Sequence, residues 1–348
     1  MKKVLILGQM KDLQSGIYIV ETLEAMGKEV SFVDTREICD DKGIVPGQKE
    51  IIKTFEELDF EPDLVIILKG LELSPSTLKT IKELYKDAVL TNWYFDIKVA
   101  STDIWDNEPF FKVIELYDYF FCSLRGAATK LQDKGFKNVY HVGEACFPPS
   151  HEEQNMNYFQ KTKYGEDVTF CGTIGYKNIH KNRLRTLSRV LNEGFNMKIW
   201  GEIVGEPKTI PLNVRHVMSG TEVINERHAM ACQSSLINLG LDAMPELDGS
   251  MSARIYRVMC AGGLYLSTAT KGIEDFFKVN KKGEEITAEQ ELVVFYNDDD
   301  LVRKLDFLLE HDDIRNSIRL NGQKKVISDH KFSNRLKEIF DLVEERKK

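Results

Sequence analysis

Short apolar runs alternate with amphipathic stretches along most of this chain. In the first half VLIL (4–7), VSFV (30–33), LVIIL (64–68), AVLTNWY (88–94), YFFC (119–122) and VYHV (139–142) have the length of strands. Several are apolar at consecutive positions rather than at every second one, which marks strands buried on both faces. Between them a 3.6-residue period predicts helices over Ser15 to Met26, Pro75 to Leu84 and Gly126 to Lys134. The period is lost over PPSHEEQNMNYFQKTKYGED (148–167), a polar stretch that reads as an interdomain linker. A second series follows: VTFC (168–171), a helix from Asn182 to Glu193, MKIW (197–200), SLINL (235–239), YL (265–266) and LVVFY (292–296). Three mostly polar helices, near 299–311, 313–328 and 333–346, finish the chain.

Strands and helices in this order predict an α/β fold with parallel sheets covered on both sides. The break divides the chain into a domain at 1–147, the linker at 148–167, a domain at 168–330 and a final helical segment at 331–348. Two Rossmann-like domains facing across an interdomain cleft are expected, although no sequence repeat relates the halves. Ligands bind beyond the carboxyl ends of parallel strands, so candidate site residues should follow strands.

Composition narrows the function classes. With 348 residues there is room for two cores. A formal net charge of −8 argues against bulk electrostatic binding to nucleic acid or to an anionic membrane, so nucleic acid is a disfavoured partner. The opening MKKVLILGQMKD has too few apolar residues for a signal-peptide core, and no apolar run reaches membrane-spanning length, so a cytoplasmic protein with no membrane span is expected. The six cysteines form no C-x-x-C pair and read as reduced core residues. No cysteine and histidine cluster has zinc spacing, and no metal is expected.

Chemistry-bearing residues do follow strands. The loop GQMKDLQSG (8–16), with Gly8, Ser15 and Gly16, offers backbone N–H groups to an anion or an acceptor, though an ordinary loop explains it equally well. Asn92-Trp93-Tyr94-Phe95-Asp96 ends another strand, and Asp103 and Asp106 follow. A carboxylate walled by aromatic rings has its basicity raised, which suits Asp96 to removing a proton from a hydroxyl; Trp93 and Tyr94 would line the acceptor side. His141 is the rival base. In FCGTIGYKNIHKNRLRTLSR (170–189), Gly172 and Thr173 fit a phosphate-binding turn, with Lys177 or Arg183 neutralising charge. Lys177, Lys181, Arg185 and Arg189 recur every four residues as a basic stripe, which a solvated helix face also explains. Asp242, Glu246 and Asp248 lie in an aperiodic loop, and Asn297-Asp-Asp-Asp300 reads as a helix N-cap.

GSMSARIYRVMCAGGLYLS (249–267) holds the densest signal. Ile255, Val258 and Met259 share one helical face, Ser250 or Ser252 is placed to cap its start, and Gly262-Gly263 ends it before a short strand. Arg254 and Arg257 near the helix start disfavour the helix unless an anion sits close by.

SARIYRVMCAGGLYLS is similar to the Arg-x-Phe/Tyr-Glu helix and Ala-Gly-Gly turn of spore-maturation (CgeB-like) glycosyltransferases. DLVIILKGLELSPSTLKTIKE (63–83), VLTNWYFD (89–96), VTFCGT (168–173) and HKFSNRLKEIF (330–340) fall in that family's order. The resemblance implies a GT-B fold, with the last helix crossing back to the N-terminal domain. It also implies transfer of a hexose or pentose, without a metal or other cofactor, from a nucleotide sugar, taken as UDP-linked. The acceptor would be a glycan, a protein or another hydroxyl compound, and an aspartate is implied at Asp96. Arg254, Tyr256 and Arg257 would meet the diphosphate or nucleoside, and Gly262 and Gly263 would let backbone approach the ligand. Arg257 replaces the glutamate that usually holds the donor's ribose, and Gly249 a position often acidic. Two other readings follow: transfer to modified bases of phage DNA, supported by the basic stripe, and a non-catalytic nucleotide or sugar sensor.

Overall fold

The structure is a computed structural model that describes residues 1–10, 15–95, 113–175 and 181–345, with Lys181 described by its backbone only. Two compact units divide the chain: Met1–Glu144 with Phe332–Lys348, and Ala145–Lys331.

The first unit is built on six parallel strands, β1 (Lys3–Gly8), β2 (Glu29–Asp34), β3 (Leu64–Leu68), β4 (Val89–Tyr94), β5 (Tyr119–Cys122) and β6 (Val139–His141). Their order is β2-β1-β3-β4-β5-β6. Leu64 to Leu68 are all buried because β3 is central and covered on both faces, as its unbroken apolar run requires. β2 lies at the edge, and Phe32 there is 55% exposed. Helices α1 (Ser15–Ala25), α2 (Thr35–Lys42), α3 (Ile44–Glu57), α4 (Pro75–Leu84) and α5 (Arg125–Asp133) connect the strands. The C-terminal helix Phe332–Glu345 completes the unit: Phe332 meets the rings of Tyr18 and Trp93, and the Tyr119 hydroxyl donates to the Leu342 carbonyl.

The pattern assigned no element to the segment now seen as α2 and α3. Asp34 accepts from the Glu37 N–H at 2.8 Å and starts α2, and Gly43, at φ 87°, turns the chain into α3. Local capping of this kind leaves no long apolar stripe to read.

The second unit begins with two short helices, α6 (Pro148–His151) and α7 (Tyr158–Tyr164), so the stretch expected to be irregular is partly helical. Asn157 and Gln160 form a reciprocal capping box that holds α7 despite its polar sequence. The main sheet contains β7 (Val168–Cys171), β9 (Met197–Trp200), β11 (Ile237–Gly240), β12 (Tyr265–Thr268) and β13 (Val293–Phe295) in the order β13-β12-β11-β7-β9, all parallel. β8 (Ile174–Gly175) and β10 (Ile203–Val204) form a separate parallel pair. Helices α8 (Lys181–Asn192), α9 (Leu212–His216), α10 (Asn225–Ser234), α11 (Arg254–Cys260), α12 (Asp298–Glu310) and α13 (Asp312–Asp329) flank them. Val168, Phe170, Leu187, Ile199, Ile237, Leu266, Val293 and Leu305 join one core cluster. Among the described residues no helix is long and apolar enough to cross a membrane.

Candidate functional site

In the second unit the chain leaves β7 for β9 on one side and later enters β11 on the other. The carboxyl ends of β7 and β11 are therefore a topological switch point, where the connections diverge and a crevice opens. Two arginines close on it. Arg254, first residue of α11, donates from Nη1 to the Cys171 carbonyl at 3.0 Å, from Nη2 to the Leu241 carbonyl at 3.3 Å and from Nε to Ser252 Oγ at 3.3 Å. Arg183, from α8, donates from Nε to the same Leu241 carbonyl at 3.0 Å and from Nη1 to the Thr173 carbonyl at 2.9 Å. Both guanidiniums lie near the Phe170 ring, 5.2 and 5.9 Å from its centroid. The ring's negative face contributes to holding them there.

Two like charges meet at this point. Burial, followed by the positive charge of Arg254, pushes the Arg183 guanidinium down to about 10, while Asp242 works in the opposite direction. Arg183 stays cationic at neutral pH. Those three hydrogen bonds of Arg254 run to neutral oxygens and use three of its five N–H donors. Asp242, the acid of this neighbourhood, accepts from the Ser252 N–H and the Ser267 hydroxyl, each at 3.3 Å. An oxyanion with several acceptor atoms, such as a diphosphate, would take up the remaining donors and relieve the repulsion.

Local sequence explains this arrangement. Gly172 sits at φ 155°, and a Cβ there would run into Nη1 of Arg254, so glycine admits the guanidinium to the strand end. The serines do not cap α11 as expected. Ala253 is the N-cap with no side-chain bond, because Ser252 Oγ is engaged by Arg254. With seven residues, α11 places Arg257 in its last turn, where the helix dipole favours a cation.

Several sequence candidates stand elsewhere. Tyr256 turns into the core beside Phe277 and His330 instead of toward a ligand, because it shares the buried face of α11. Arg257 lies by α6 and α10. Its charge, after burial, is the second cause that pushes His151 down to about 2 and His228 to about 3. Gly262 and Gly263 end α11 just before β12 enters the sheet, so they lie at the end opposite the switch point. A Cβ on Gly262 would meet Gln323 at 3.1 Å and Arg319 at 3.2 Å, and one on Gly263 would meet Asn238 at 2.7 Å. Helix termination and close packing, rather than ligand approach, require these glycines.

In the first unit Gly8 lies against Leu68, and Gly16 against Gln9 and Met10, so both glycines serve close backbone packing. Ser15 opens α1. Trp93 is fully buried with Nε1 donating to the Val142 carbonyl, and Tyr94 stacks on Phe120; both are core residues rather than acceptor-facing ones. His141 ends β6, paired in register with Cys122. Asp96, Asp103, Asp106 and Lys177 lie outside the described residues. On α8, Arg185 pairs with Asp298 and Arg189 with Glu193 and Asp299. Asn297 caps α12 by accepting from the Asp300 N–H at 2.9 Å.

Two groups escaped the sequence reading. Glu72, 7% exposed, accepts from the Thr35 hydroxyl at 2.5 Å after β3. Cys171, His228 and Cys232 converge in the second unit. His228 and Cys232 are four apart on α10, a spacing that would have shown had the helix itself been assigned. Its buried face mixes His228, Ala229, Ala231 and Cys232, so no apolar stripe announces it.

Residues 180–341 match a family model described as glycosyl transferase-like. No curated protein sequence matches the chain. Among solved structures, the catalytic domain of starch synthase IV from Arabidopsis thaliana, bound to ADP and acarbose, is similar at TM-score 0.68 and 9% identity over 98% of each chain. Sucrose-phosphate synthase from Thermosynechococcus elongatus is similar at TM-score 0.66 and 9% identity over 99% of each chain. HepE of Anabaena in complex with UDP-glucose is similar at 0.65 and 10% identity, over 99% of this chain and 100% of that one. The fold is GT-B, with parallel sheets in two Rossmann-like domains.

Proposed function

We propose that this protein is a glycosyltransferase of the CgeB-like kind, moving a hexose or pentose from a nucleotide-activated donor, UDP-linked, to a hydroxyl acceptor. The observation that carries the reading is the pair Arg183 and Arg254, held by carbonyls of Cys171, Thr173 and Leu241 at the switch point of a sheet, both arginines lying in the segment that matches the glycosyl transferase-like model. Their convergent positive charge supports stabilisation of a departing diphosphate, which side chains achieve without a metal when they are preorganised. The acceptor hydroxyl must also lose a proton, a task assigned to Asp96 in the first unit, with His141 as the alternative. The acceptor is a glycan, a protein or another hydroxyl compound. Six free cysteines support a cytoplasmic setting.

The test is calorimetry with UDP, ADP and GDP, followed by assay of diphosphate release from the matching nucleotide sugars. Slow release without acceptor, by adventitious hydrolysis, is the expected result. Tight binding with no release across the donor panel and a cell-extract acceptor pool would overturn transfer and leave a sensor.

A further inference from the structure

Beyond the donor site, the second unit gathers three metal-ligating side chains that sugar transfer does not use. Cys171 ends β7, while His228 and Cys232 stand one helical turn apart on α10. The two sulfurs and an imidazole nitrogen all lie within 4.8 Å of one another. Cys232 Sγ is 3.6 Å from His228 Nδ1 and 3.6 Å from Nε2.

These separations suit one particular chemistry. Zn–S bonds of about 2.3 Å and Zn–N bonds of about 2.0–2.1 Å at tetrahedral angles place neighbouring S and N ligand atoms about 3.6 Å apart and two sulfurs about 3.8 Å apart. The sulfur–nitrogen spacing here matches that edge in length, and because Sγ is equidistant from both ring nitrogens the imidazole must turn about its side-chain bonds to aim one of them at the ion. We propose that Cys171, His228 and Cys232 form a binding site for a borderline-soft divalent cation, Zn²⁺, bracing the carboxyl end of β7 against α10.

The surroundings fit the proposal. Tyr164, Trp200, Val223, Ala231 and the stem of Met230 pack around Cys171, so the ligands sit in an apolar shell that limits competing hydration. A neutral imidazole at His228 offers one ring-nitrogen lone pair to a metal. An ordinary thiol is mostly protonated at neutral pH, so two thiols give up their protons to the ion on binding. Binding then follows Zn²⁺ + 2 Cys–SH + His → Zn(Cys–S)₂His + 2 H⁺. The two thiolate charges balance those of the ion, and three protein donors leave one tetrahedral position for water. The brace acts on the donor site through the backbone, because the carbonyl of Cys171 is an acceptor for Arg254.

The experiment uses the full-length protein, purified without chelator and equilibrated with Zn²⁺, with metal content read by elemental analysis. About one Zn²⁺ per chain is expected, with release of two protons on titration of the metal-free protein. Co²⁺ in place of Zn²⁺ should give thiolate-to-cobalt charge-transfer absorption and the strong visible bands of a tetrahedral site. His228→Gln and Cys232→Ser should each weaken Zn²⁺ binding by at least about 100-fold, while Cys260→Ser, which removes a thiol outside the cluster, should keep it. Wild-type protein that takes up no stoichiometric Zn²⁺ would overturn the proposal, whatever the folding of the variants. So would undiminished binding in both variants, or a Cys171–Cys232 disulfide recovered from alkylated protein.

Discussion

The switch points of the two sheets carry opposite electrostatics. In the second unit the strand-end carbonyls of β7 and the residue after β11 receive two guanidiniums, and Arg254 keeps donors to spare. In the first unit, where β1 lies between β2 and β3, the loop after β1 donates its Met10 N–H to Asp34 at 2.9 Å, and a buried Glu72 follows β3. A carboxylate thus takes a backbone donor that would otherwise serve an anion. One Rossmann-like scaffold therefore presents an anion-seeking end in the second unit and an anion-repelling end in the first. This supports giving the charged nucleotide to the second unit and a neutral hydroxyl acceptor to the first.

The largest expected effect concerns the proposed base. Asp96→Asn should lower the single-turnover rate by roughly 10²- to 10⁴-fold, the usual cost of an absent general base, while donor affinity stays nearly unchanged. A rate within about threefold of wild type, well short of that range, would return Asp96 to a structural role and make His141→Gln the next variant.

Next in size is the loss of a guanidinium. Arg254→Ala should weaken binding of the preferred nucleotide by roughly 1.5–3 kcal/mol, the scale of a hydrogen bond to a charged group. Arg183→Ala should weaken it less, since removing one of two repelling cations relieves the other. Calorimetry on both variants checks the order; unchanged affinity for folded Arg254→Ala would move the phosphate site elsewhere.

The legible parts of the molecule share a physical cause. Buried parallel strands such as LVIIL, YFFC, VTFC and MKIW are apolar without interruption, so burial writes them directly into the sequence. Arg254, Arg183, Gly172 and Thr173 were legible because they follow β7 or flank the next crossovers. The short polar helices α2, α6 and α7 were not, and neither was α10, whose inward face sets His228 among small residues. Tyr256, Trp93 and Tyr94 misled for the converse reason: an aromatic residue near a strand end is equally at home in the core, and only packing shows which way it turns. The Cys171–His228–Cys232 cluster needs the tertiary neighbourhood of β7 and α10, which brings Cys171 to the i, i+4 pair His228 and Cys232.

A smaller effect should appear as pH dependence of stability. His151 is buried, its Nδ1 accepts from the Phe147 N–H at 2.9 Å, and burial first and Arg257 second push it from 6.5 down to about 2, with His228 adding to the shift. The folded state thus refuses a proton that the unfolded chain accepts. Its contribution to stability is complete above pH 6.5 and falls away as pH drops toward 2. Each proton taken up only by the unfolded state costs about 1.4 kcal/mol per pH unit. His151→Gln, which retains an acceptor for Phe147, should flatten the decline between pH 6 and about 4 by up to that slope. Parallel pH profiles of wild type and variant in urea unfolding would remove His151 as a cause.

The smallest effect is expected where the sequence offered its one basic stripe. If α8 served nucleic acid, its arginines should stand unpaired and their removal should matter. Instead Arg185 meets Asp298, Arg189 meets Glu193 and Asp299, and all of these groups are at least partly exposed. Exposed pairs of this kind contribute about 0–1 kcal/mol. Replacing Arg185 and Arg189 together with Gln should therefore shift folding stability by no more than about that amount and leave nucleotide affinity within about twofold, because the proposed donor contacts run through Arg183 and Arg254. Duplex DNA should bind no tighter than about 10 μM at physiological salt, near ordinary non-specific affinity, in wild type and variant alike. A tighter complex in wild type that falls steeply with salt and disappears in the double variant would show that α8 sheds its acidic partners for phosphates. It would restore modified DNA as the acceptor and give the second unit a second anion-binding face.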